Sequence, residues 1–163
     1  MSLLRLASVL TLAAWIGGLA VLGGLAAPTI FAVLESHDPE SGRALGGLVF
    51  GAVFTRFLHF SWGLGAALLL LLALRAAIGP RPRRLAVRLW TVIAMLGMAL
   101  VTGLVLAPRI DAIRERTSGA VASRPETDPD RVEFGRLHGY SNGLMMLTLV
   151  AGIGLLWVEM KDQ

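Results

Sequence analysis

Leu6-Ala-Ser-Val-Leu-Thr-Leu-Ala-Ala-Trp-Ile-Gly-Gly-Leu-Ala-Val-Leu-Gly-Gly-Leu-Ala-Ala27 contains no charged residue. At about 1.5 Å per residue it forms a helix of about 33 Å, enough to cross about 30 Å of hydrocarbon. Three further stretches have the same character: Phe57 to Leu74, Leu89 to Ala107 and Leu137 to Val158. The first and third hold no charged residue, and the second and fourth hold only His59 and His138 near their starts. A soluble helical bundle would carry charges on one face of every helix. With 55% hydrophobic and 16% charged residues over 163 positions, the chain reads as an all-α integral membrane protein with a four-transmembrane-helix bundle.

The N-terminal run also resembles a signal peptide ending at Leu25-Ala26-Ala27, but it is longer than an ordinary signal core. A gap-free offset of 80 residues makes it part of the fold. Thr11, Ala14, Gly17, Val21, Gly23, Ala27, Pro28, Ile30, Ala32 and Glu35 pair with Thr91, Ala94, Gly97, Val101, Gly103, Ala107, Pro108, Ile110, Ala112 and Glu115. Phe54, Arg56, Ser61, Gly63, Leu64 and Leu69 pair with Phe134, Arg136, Ser141, Gly143, Leu144 and Leu149. The expectation is a single membrane domain over residues 1–163, with repeat 1 at about 1–78 and repeat 2 at about 84–163. Each unit has two crossings, so the two insert in parallel around an axis along the membrane normal.

Arginine distribution sets the expected orientation. The connection at about 75–88 holds Arg75, Arg81, Arg83, Arg84 and Arg88 and no acid, which marks it as cytoplasmic and places both termini inside the cell (inner) membrane. The other two connections mix acids and arginines and belong outside. The apolar run from Ala44 to Leu74 is too long for one upright crossing. Arg56 is read as dividing it into an outer interfacial helix, Ala44 to Thr55, and a crossing from Phe57. Gly47 with Gly51, Gly139 with Gly143, and Gly17 with Ala20 and Gly24 are expected to let helices approach closely, and the glycine-lined exterior would allow a homodimer. Pro28 and Pro108 should bend or end helices at equivalent points.

Trp15-Ile-Gly-Gly, Ala27-Pro28-x-x-Phe31, Gly47-x-x-Phe50, Leu106-Ala107-Pro108-Arg109-Ile110 and Phe134-Gly-Arg136-Leu137-His138-Gly carry a family resemblance. The chain resembles the uncharacterised four-helix membrane family called domain of unknown function 4149, which includes eukaryotic transmembrane protein 205. That family is similar in plan to the copper resistance protein D and HemJ group, whose members use membrane histidines for metal or haem. The resemblance implies fold and membrane location rather than an activity.

Ionisable groups at membrane depth are costly and therefore informative. Arg56, Arg109 and Arg136, with Ser141 and Asn142, are candidates to bind an anionic lipid headgroup or small ligand at the outer end. His59 and His138 are candidate ligands for haem b or copper, with Met145 or Met146 as soft partners. The ordinary alternative has the arginines snorkelling to phosphates and the histidines bonding within the bundle. The offset pairs Arg56 with Arg136, which should then face each other across the axis, but it pairs His59 with Gly139. No nucleophile–base pair, phosphate-binding loop or dinucleotide motif is present, so the expectation is a non-enzymatic protein. The arginines flank spans and form no aromatic-interleaved basic patch, which argues against nucleic acid. With no cysteine, disulfides and thiolate metal sites are excluded.

Overall fold

The computed structural model describes residues 3–39, 41–78 and 83–161; Glu40 and Arg81, both used in the orientation argument, lie outside the described residues, as do Pro80 and Asp162. Six α-helices follow in order: α1 (Leu3–Val21), α2 (Ala27–His37), α3 (Gly42–Ile78), α4 (Leu85–Val101), α5 (Ala107–Arg116) and α6 (Pro129–Lys161). One π-helical turn, Leu22–Ala26, joins α1 to α2, and another, Thr102–Leu106, joins α4 to α5. The chain therefore makes four continuous apolar rods of 32 to 37 residues, long enough to span a membrane.

The two π-turns lie 80 residues apart and each leads into Ala-Pro. Proline supplies no amide donor, and its ring collides with the carbonyl four residues back in a regular α-helix. Widening one turn relieves that collision: Ala27 donates to the carbonyl of Leu22, and Ala107 to that of Thr102. Pro28 and Pro108 thus neither end nor break their helices; each changes one turn, and the helix goes on to His37 or Arg116.

Helix α1 packs against α3 and α6, and α4 packs against the same two, so α1 and α4 occupy one diagonal of the bundle and α3 and α6 the other. The core follows the same offset. Leu12 and Val92, Trp15 and Met95, and Leu19 and Ala99 are buried pairs on α1 and α4; Ser61 and Ser141, and Leu68 and Thr148, are buried pairs on α3 and α6. Full burial of side chains of this size contributes about 1.5–3 kcal/mol each in a water-based reckoning. Between membrane rods, shape complementarity carries more of that weight.

Two expectations change. Residues 44–55 are helical but not separate from the second crossing, because α3 runs unbroken through Arg56. Nothing between Gly42 and Ile78 breaks a helix: there is no proline and no turn sequence, and arginine favours helix. The proposed close-packing glycines also do other work. A Cβ at Gly17, Gly24, Gly139 or Gly143 would meet nothing within 4 Å. Gly47 and Gly51 face the Arg114 guanidinium rather than a helix backbone. Tight approaches lie at Gly18 against Phe57, Gly42 against Leu34, Gly46 against Phe31, Gly65 against Trp15 and Leu96, Gly103 against Trp62, and Gly152 against Ile16.

Candidate functional site

The end of the bundle away from the termini carries most of the polar residues singled out in the sequence. Asp128 caps α6 there: its Oδ1 accepts from the backbone N–H of Asp130 at 2.9 Å and Arg131 at 3.4 Å, with Pro129 in the first turn. Burial raises the pKa of Asp128, but the hydrogen bond from Arg124 and these two amides outweigh it and hold the carboxyl below its ordinary range. Ser118 and Gly119 both have positive φ and form the turn after α5.

Most arginines at this end meet an acid. Arg43 pairs with Glu35 at 2.8 Å, Arg114 with Asp111 at 3.3 Å, and Arg116 with Asp130 at 2.9 Å. Arg124 pairs with Asp128 at 3.1 Å and Arg131 with Glu126 at 3.4 Å. Arg114, missed in the sequence, also lies over the Phe134 ring at 5.6 Å and fills the notch left by Gly47 and Gly51. The spacing of those two glycines was its only signal.

Arg56, Arg109 and Arg136 differ. All three are exposed, and their side chains form no ion pair or hydrogen bond with any described residue. Arg56 and Arg136 stand on the diagonal helices α3 and α6 and do not face each other across the axis. Leu58 and Ser61 turn to the interior of α3, and Leu137 and Ser141 do so on α6. Arg56 lies about 200° around the helix from Leu58. Ser141 is buried whereas Asn142 is exposed, so those two candidates do not join the arginines in one pocket.

The histidines are separated too. His59 is exposed on α3, donates from Nδ1 to the carbonyl of Thr55 at 2.8 Å and packs edge-on against Trp62 at 4.6 Å. His138 is exposed on α6 and stacks on Phe134 at 5.8 Å. Met145 is half-buried and Met146 exposed. Among the described residues no three His, Cys, Asp or Glu side chains gather in a metal-binding group.

A second polar cluster, at the end that holds the termini, was not anticipated. Glu159 is buried at 3% exposure. Its carboxylate accepts from Arg75 at 2.9 and 3.4 Å and from Arg88, and its backbone carbonyl accepts from Arg5 at 2.5 Å. Arg88 also donates to the carbonyl of Arg83 at 3.0 Å. One residue, Glu159, therefore ties together α1, α3, α4 and α6.

No curated protein and no solved structure matches the chain. Residues 10–118 match a protein family, a stretch that takes in most of the first rod, the second and third rods and both π-turns and stops before the Phe134 to Gly139 string. This integral membrane protein belongs to the family described as domain of unknown function (DUF4149).

Proposed function

We propose that the chain is a non-enzymatic membrane protein that binds anionic lipid headgroups through Arg56, Arg109 and Arg136 at the outer boundary of its bundle. The observation that carries this reading is the division among the arginines at that end: five are matched to acids, and these three are exposed without a partner. An unmatched guanidinium at the edge of an apolar rod suits a phosphate, which takes two parallel N–H donors. The termini belong in the cytoplasm of a cell whose inner membrane holds the protein. Among the described residues, six of the 14 Lys and Arg but one of the nine acids lie at that end, and the remaining eight and eight lie at the other.

The test uses protein reconstituted in bilayers with spin-labelled phosphatidylglycerol or phosphatidylcholine. Wild type should immobilise phosphatidylglycerol preferentially, and the preference should shrink on raising salt and vanish in Arg56→Ala/Arg109→Ala/Arg136→Ala. An undiminished preference for phosphatidylglycerol in the triple variant would refute the assignment.

A second reading, haem b or copper held by His59 and His138, has one observation in its favour. The Nδ1 donation from His59 to Thr55 leaves Nε2 as the lone-pair nitrogen, an arrangement common in ligating histidines. The diagonal placement of α3 and α6 weighs against a shared ion. A visible spectrum and elemental analysis of protein purified in mild detergent discriminate: a Soret band or bound copper lost in His59→Ala would favour this reading.

A further inference from the structure

Between the second π-turn and α6 the bundle surface opens into a groove of about 410 Å³, lined by Val101, Leu106, Gly139, Gly143, Leu144 and Leu147. That volume falls within the roughly 300–1,000 Å³ of small-molecule sites. Two features create it. The π-turn widens the helix at Thr102–Leu106, and the facing stretch of α6 has glycine at 139 and 143, where a Cβ would meet nothing within 4 Å. The first repeat keeps one of these glycines, Gly63 in the place of Gly143, but in the place of Gly139 it has His59, whose imidazole packs on Trp62.

Two arginines lie one helical turn from residues that line the groove. Arg136 lies one turn before Gly139 on the same face of α6, and Arg109 lies one turn beyond Leu106 on α5. From there the apolar lining runs inward from Gly139 to Leu147, about 12 Å along the helix. Cation at the boundary and apolar channel toward the membrane centre match a phospholipid in both chemistry and direction. A second copy of the chain fits less well: a twofold axis through this face would bring Arg136 against Arg136, and like charges brought together oppose association.

We propose that this groove holds one acyl chain of an anionic phospholipid whose phosphate is taken by Arg136 and Arg109. The proposal rests on the headgroup reading of the arginines above and adds a stoichiometric site on one side of the bundle.

Native mass spectrometry of detergent-solubilised protein, titrated with dioleoyl phosphatidylglycerol or dioleoyl phosphatidylcholine, tests it. Wild type should retain one phosphatidylglycerol per chain. Gly143→Leu, whose Cβ has open space and whose side chain reaches into the groove, should keep the wild-type melting curve and lower that occupancy about tenfold. Its residual binding should still favour phosphatidylglycerol. Arg109→Gln/Arg136→Gln should lose the preference between the two lipids. Wild-type occupancy in Gly143→Leu would overturn the groove while leaving the arginine reading intact. An unchanged preference in the arginine variant would overturn the reading on which the groove rests. A lipid-free dimer that becomes a monomer in Gly143→Leu would assign the groove to a second copy and overturn the proposal.

Discussion

Glu159 is surrounded by guanidinium groups from three other helices at a depth where little water reaches. A buried charge is tolerated when its partners remain, and removing one partner leaves the others uncompensated at a cost of about 3–5 kcal/mol. Glu159→Ala should therefore lower the stability of the purified protein by that amount. Glu159→Gln, which keeps two hydrogen-bonding atoms, should cost less. Thermal unfolding in detergent measures both, and a wild-type melting point for Glu159→Ala would show that the cluster does not hold the helices together. Arg75 and Arg88 were legible in the sequence only as charges flanking a cytoplasmic connection. Glu159, just after the apolar run that ends at Val158, similarly reads as the close of a span. What escapes that reading is depth: Arg5, Arg75, Arg88 and Glu159 sit at matching heights on four rods, a relation that no single segment displays.

Among the elements, α3 shows why span length alone misleads. The sequence suggests two helices because the apolar run from Ala44 to Leu74 exceeds an upright crossing, but local chemistry permits one rod of 37 residues, a length that tilt can accommodate. The π-turns were legible only as prolines, since widening a turn leaves no mark in composition beyond the residue that forces it. The glycines divide by environment, and that division predicts stability. A Cβ at Gly42 would strike the backbone oxygen of Leu34 and come within 2.7 Å of the Glu35 Cα, atoms that cannot swing aside. Gly42→Ala should cost about 1–3 kcal/mol as overpacking. Gly97 faces open space, so Gly97→Ala should gain up to about 1 kcal/mol from helix propensity. Melting curves of the two variants should shift in opposite directions, and a shared direction would show that local crowding does not decide the outcome.

At the level of the whole molecule, four rods in a ring produce two chemically different ends and one asymmetric side. The four crossings and the boundary arginines are legible because hydrocarbon imposes a simple length rule and excludes charge. The groove beside Gly143 is not, because it arises from side chains that are missing opposite a turn that has widened. Its biological meaning depends on which leaflet it faces. The chain has no cysteine, so single cysteines report orientation without background. Ala122→Cys lies exposed in the short helical turn between α5 and α6, and Ala86→Cys lies exposed at the start of α4 on the opposite end. A membrane-impermeant maleimide added to intact cells should label Ala122→Cys at once and Ala86→Cys only after lysis. The reverse pattern would place Arg56, Arg109 and Arg136 at the cytoplasmic surface. The groove would then draw on the inner leaflet, where the negative surface potential itself concentrates cationic segments. Preference for anionic lipid would in that case need comparison against an arginine-rich helix lacking the groove before any of it is credited to a built site.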